Sequence, residues 1–250
     1  MAGISKLMSI LVLAWLAFAT PGEAAQKVLF DTGHGERFKI TDEGPLQLSG
    51  LAEIIQAAGA KIDTIDRPFS DATLAGAHAL VISGAFTALH PHEIEAVVRF
   101  IEGGGKVAIM LHIAPPLAAL LNRLQVSHTN GAILERQNVI ENEPLRFRVD
   151  RLSDHPVLRG VSGFSLNGAW GLINNDETVR VVAATSPRAW IDLNRDKVQA
   201  AEETASFGVA VTGEVGKGGF IVFGDDAIFQ NKFLEGNNKI LAANLAGWLK

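Results

Sequence analysis

No cysteine occurs in the 250 residues, and that absence removes several chemistries at once. There can be no disulfide, no thiolate nucleophile, no thiolate zinc site and no lipid-modified cysteine, and the absence fits either redox compartment. An excess of positive charge is also missing. Lys and Arg number 22 against 27 Asp and Glu, a net charge of −5 that argues against a nucleic-acid backbone as partner. The apolar run Leu7 to Ala19 is shorter than the roughly 20 residues a membrane span requires. Lys6 before it and the small residues of Pro21-Gly22-Glu23-Ala24 after it give the pattern of a cleaved secretory signal. We therefore expect a signal peptide over residues 1–25, a periplasmic or secreted bacterial protein, and no membrane span after cleavage. No internal repeat, low-complexity tract or linker interrupts the remainder, so residues 26–250 are expected to form one domain.

What is present is a series of short apolar runs separated by helical patterns. Val28-Leu29-Phe30, Ala79 to Ile82 and Val107 to Leu111 are apolar at every position. Lys61 to Ile65 alternates like a strand. Gly44 to Ala58 carries apolar residues close to helical spacing, and Ile94, Val97, Val98 and Ile101 make a stripe behind Pro91, with Gly103-Gly104-Gly105 as its stop. A short leucine-rich helix to Leu124 follows. Continuous apolar strands between amphipathic helices imply an α/β fold with a largely parallel sheet covered on both faces. From Gly131 to Pro187 the texture turns to short strands, read as a β-rich insertion or extension. Ser206 to Val211 and Gly219 to Phe223 flank a glycine turn as a hairpin, and Asn238 to Leu249 is a last helix with Ile240, Leu241, Leu245 and Trp248 as its buried side.

The polar residues gather where these strands end. Asp31, His34 and Glu36 follow the first strand, spaced by Gly33 and Gly35. Ser83-Gly84, His112 and Asp225-Asp226 follow later strands. In open α/β sheets ligands bind at strand ends, so the candidate binding set is Asp31, His34, Gly35, Glu36, Ser83, Gly84, His112, Asp225, Asp226 and Asn231. Carboxylates and imidazoles on one edge suit zinc or manganese, or an acid/base pair, or turn capping alone.

A second motif lies outside this set. Asp192, Asn194 and Asp196 at loop positions one, three and five, the Val198 carbonyl at seven and Glu203 at twelve reproduce the spacing of a calcium loop. Lys197 occupies position six, where glycine normally makes the sharp turn; a solvated acidic turn is the alternative reading. GEVGKGG at Gly213 to Gly219 lacks the spacing of a phosphate loop and reads as a turn.

Several stretches together resemble glutamine-amidotransferase-like domains of exported or membrane-attached bacterial proteins linked to gliding-motility-type ABC transport systems. They are FDTGHGERF (Phe30 to Phe38), LVISGAF (Leu80 to Phe86), IEGGGKVAIML (Ile101 to Leu111), DHPVLRGV (Asp154 to Val161), AWIDLNRD (Ala189 to Asp196), GGFIVFGDDAIFQN (Gly218 to Asn231) and GNNKILAANLAGWL. The resemblance implies a flavodoxin-like three-layer α/β/α sandwich. Glutaminase chemistry of the class I kind is excluded, because its nucleophile is a cysteine and His112 falls near where that residue would be.

Two functions from different classes follow. One is an exported, non-catalytic domain holding a small ligand or an envelope protein partner in the strand-end crevice. The other is a metal-dependent hydrolase using Asp31, His34, His112 and Asp225. A purely structural envelope subunit is a third.

Overall fold

Alternate residues of the central strands belong to opposite cores, and both sets are apolar. In β1 (Lys27–Asp31), Val28 and Phe30 enter one core while Leu29 enters the other. That is why these strands read as unbroken apolar runs: both sheet faces are covered. The computed structural model describes residues 26–250, and the expected signal segment lies outside them.

After β1 come α1 (Ser49–Ala57), β2 (Lys61–Ile65), α2 (Asp71–Leu74), β3 (Ala79–Ser83), α3 (Pro91–Glu102), β4 (Lys106–Met110) and α4 (Ala118–Arg123). The next strands are β5 (Val126–Ala132), β6 (Val139–Ile140), β7 (Glu143–Val149), β8 (Arg151–Leu152) and β9 (Phe164–Asn167). Then follow β10 (Trp170–Asn174), β11 (Val179–Ala184), the hairpin of β12 (Gly208–Val215) and β13 (Gly218–Phe223), and α5 (Gly236–Trp248).

Ten strands form the main sheet, in the order β2-β1-β3-β4-β13-β12-β10-β5, with β11 also on β12 and β8 on β11. Pairing is parallel from β2 through β13. Every remaining pairing in the sheet, β13 to β12, β12 to β10, β10 to β5, β12 to β11 and β11 to β8, is antiparallel. A second, three-stranded antiparallel sheet has the order β6-β7-β9. The mostly parallel, flavodoxin-like sandwich expected from the sequence is thus incorrect: the fold is a mixed, β-rich sheet. Of the two readings of Gly131 to Pro187, β10 and β11 match an extension, since they join the main sheet, while β6, β7 and β9 form the small sheet beside it.

On one face, α1, α5 and the small sheet contribute Leu51, Ile55, Leu241, Leu245, Phe147 and Phe164 to a shared core. On the other, α2, α3 and α4 contribute Leu74, Val97, Ile101 and Leu121. Helix boundaries depart from expectation in two places. Gly44 to Leu48 is a turn and α1 begins only at Ser49, while in α5 Ile240 is 42% exposed and Asn238, Ala242 and Ala246 take the buried side instead. Among the described residues no helix is long and apolar enough to cross a membrane.

Candidate functional site

The chain runs from β1 to β2 on one side and then crosses to β3 on the other, so β1 and β3 flank the point where the winding reverses. Loops leaving the carboxyl ends of strands at such a point form the usual ligand crevice of open α/β sheets. Residues 32–38 and 84–90 are those loops, and the amides of Phe86 and Thr87 both donate to the His34 carbonyl, at 2.9 and 2.8 Å.

Adjacent strands lie about 4.8 Å apart, so the ends of β1 and β13, three places apart, are separated by roughly 14 Å. The predicted polar residues accordingly fall into two clusters. The first is buried. His34 Nδ1 lies 2.8 Å from Asp31 Oδ2, and its Nε2 lies 3.1 Å from Glu93 Oε1 on the first turn of α3. In the sequence Glu93 is simply an acidic residue two places after Pro91, where a helix start favours negative charge. Its partner is 59 residues away, and nothing local announces the pairing. Burial alone would lower the His34 pKa, but Asp31 and Glu93 reverse this and hold it up at about 9. His34 is therefore an imidazolium gripped at both nitrogens.

Glu36 completes this cluster by accepting from the His34 amide at 2.8 Å, while its other oxygen is buried with no partner. Burial and the neighbouring Asp31 push its pKa up to about 8, so it is a neutral acid at pH 7. Burial likewise works to raise the Glu93 carboxyl, yet the amides of His90 and Phe69 and the His34 cation bring it below its ordinary value. Asp31, His34 and Glu36 place possible ligand atoms within 4.8 Å of one another. Both ring nitrogens of His34 are engaged, Nδ1 by Asp31 and Nε2 by Glu93, so a metal at this trio would have to displace one of these pairings.

The second cluster faces outward. His112, just past β4, keeps 40% of its side chain exposed, with Nδ1 3.1 Å from Oδ1 of Asp226, which is almost wholly buried. The Asp226 hydrogen bond raises the His112 pKa; its charge and that of Asp225 add to this, against burial and Arg37. The rings of Phe38 and Phe86 stand 5.0 and 5.3 Å from the imidazole, and the Arg37 guanidinium lies 4.5 Å above Phe86. Asp226 Oδ2 and the Ser83 hydroxyl are buried and unpartnered. Gly84 makes the close approach possible: at φ 67 it has no Cβ, which would stand 2.7 Å from Asp226 Oδ2.

Asp225 accepts from the amides of Asn167 and Ala227, at 2.6 and 2.9 Å, and burial followed by repulsion from Asp226 pushes its pKa up to about 8. It therefore pins the β13 turn to β9. Asn231 is also structural here, since its side chain accepts from Gly50 and donates to Gly44 O and Ser49 Oγ at the start of α1. Gly35, at φ 79, shapes the turn between His34 and Glu36. His78 accepts from the Lys27 amide, and His128 bonds to the Thr129 carbonyl.

The fold and these clusters define a mixed-sheet α/β protein with a polar and aromatic face at its strand ends. The profile described as Domain of unknown function (DUF4350) matches residues 40–246, and the chain belongs to that family. Among solved structures it is similar to the mmIFT52 N-terminal domain, with 16% identity and a TM-score of 0.72 over 89% of this chain and 96% of that one. A cytoplasmic protein of Salmonella typhimurium aligns at 15% identity and TM-score 0.60, over 90% of this chain and 100% of its own. A ThuA-like protein from Bacteroides uniformis aligns at 14% identity and TM-score 0.58, over 93% and 95%. A search of curated proteins finds no match. At such identities the likeness is one of fold. These findings, with the mixed sheet, overturn the assignment to glutamine-amidotransferase-like domains, and the tie to ABC transport that depends on it goes with it.

Proposed function

We propose that this protein is an exported, non-enzymatic binding module that holds a small anionic ligand with a flat apolar part at the strand-end face. The observation that carries the reading is the exposed His112 ring, fixed by buried Asp226 and walled by Phe38 and Phe86 beside Arg37. The Arg37 guanidinium supplies charge-assisted donors, the His112 imidazole, whose proton affinity Asp226 raises, supplies a further polar contact, and the two rings supply a stacking surface. The sequence pattern of residues 1–25 supports export, and an envelope setting accords with it. The metal-assisted alternative asks Asp31, His34, His112 and Asp225 to meet on one ion. Their division between two clusters gives that reading no support.

Amide chemical shifts recorded during titration with benzoate and with inorganic phosphate test the proposal. Benzoate is expected to move the resonances of Gly84, Phe86 and His112 more than phosphate does, and His112→Ala is expected to abolish the response. If neither probe perturbs this face, and protein isolated from its native envelope releases no small molecule on denaturation, the reading is wrong.

A further inference from the structure

The loop between Ile191 and Thr204 is closed on itself, with the Ile191 amide donating to the Glu203 carbonyl at 3.1 Å. Within it the side chains fold inward in a fixed order. Asp192 Oδ2 accepts from the Lys197 amide at 3.1 Å, Asn194 Oδ1 from Asp196 at 2.9 Å, and Asp196 Oδ1 from Val198 at 2.7 Å. Glu203, only 6% exposed, reaches back so that Oε1 accepts from the amides of Leu193 and Asn194, at 2.9 and 3.3 Å. Its other oxygen, Oε2, is buried with no partner, and so is Asp192 Oδ1.

Two buried carboxylate oxygens without donors, at the first and last positions of one loop, are a costly arrangement unless a cation satisfies them. We propose that residues Asp192, Asn194, Asp196, Val198 and Glu203 bind one calcium ion, the first, third, fifth and twelfth side chains and the seventh carbonyl supplying oxygen ligands. The obstacle in the sequence was Lys197 at the sixth position. In the structure Lys197 stands at φ 62, the left-handed conformation that glycine usually provides there, and the residue is exposed. The loop carboxylates are spread more widely than the buried trio at Asp31. Ligands about 2.4 Å from a calcium ion stand at most about 4.8 Å apart, so the ion draws the loop carboxylates closer together as it binds. Flexible oxygen ligands of this kind favour calcium over magnesium, which demands a tight octahedron.

Calorimetric titration of the purified, chelator-treated full chain tests the site. One calcium per chain is expected, with affinity in the range of about 0.1–1 mM typical of extracellular modules, and a higher melting temperature at saturation. Terbium is expected to show sensitised emission on excitation of Trp190, two residues before the first ligand. Asp196→Asn, on the exposed rim, is expected to weaken binding by about tenfold or more without changing the circular dichroism, because affinity follows ligand charge. Glu203→Gln takes away the charge and one of the two oxygen donors of the buried ligand and is expected to abolish binding. No calcium binding with no terbium emission overturns the proposal. So does binding that Asp196→Asn and Glu203→Gln leave unaltered, which puts the ion elsewhere.

Discussion

His112 Nδ1 and Asp226 Oδ1 stand 3.1 Å apart, an exposed ring anchored to a carboxylate that is itself almost completely buried. The anchor fixes the ring's orientation and raises its proton affinity. In an NMR titration of the histidine Cε1 protons, His112 is expected to titrate above the ordinary histidine midpoint, and Asp226→Asn to lower that midpoint. An unchanged midpoint in the variant would mean that Asp226 does not set the charge of the site.

The His34 node makes a prediction about stability. Replacing His34 by alanine leaves the Asp31 and Glu93 carboxylates buried without their cation, and removal of one partner from such a group costs about 3–5 kcal/mol. The urea midpoint of His34→Ala should fall accordingly, whereas His112→Ala, at an exposed ring, should stay close to the parent.

The same node sets a pH dependence. His34 has a folded pKa raised from 6.5 to about 9, so its contribution is complete below pH 6.5 and is lost as pH rises through 9. Glu36 is raised from 4.5 to about 8, so the unfolded chain gives up its proton first and folding weakens as pH climbs from 4.5 to 8. Both act in one direction. Melting temperature should therefore decline between pH 5 and pH 9, and Glu36→Gln, which keeps the neutral form at all pH, should flatten the decline. A melting temperature that rises over this interval would contradict the assignment of both protons.

At the acidic loop, Lys197→Gly should raise the melting temperature of the chelator-treated chain. Lys197 stands at φ 62, where a non-glycine residue pays roughly 1–2 kcal/mol that glycine does not. Thermal melts of the variant beside the parent, both in chelator, measure this directly.

The parallel half of the sheet was legible because β1, β3 and β4 each carry an unbroken apolar run, Val28 to Phe30, Ala79 to Ile82 and Val107 to Met110, with polar or turn residues close behind. The antiparallel half was not. In β5 the sequence VSHTNGA is mostly polar, and β8 is only two residues long, so neither carries a pattern that states its neighbour. Their positions come from pairings far apart in sequence, such as Leu172 with His128. The same limit applied to the polar residues. Turn composition put Asp31, His34, Ser83, His112 and Asp225 at strand ends, but strand order separates Asp31 from Asp225, and order is fixed by crossovers that residue types do not record. Ser70 and Thr73, which cap α2 reciprocally, are a signal that was present and overlooked.

Glu93 holds three separate stretches of chain with one carboxylate. It takes the His34 ring from the loop after β1, the Phe69 amide from the segment before α2, and the His90 amide from the start of α3, at 3.1, 2.9 and 2.9 Å. A side chain used in this way works as a rivet. Under a pulling force, or as the first event of thermal opening, those three stretches should let go together, and their amides should exchange with deuterium as one unit.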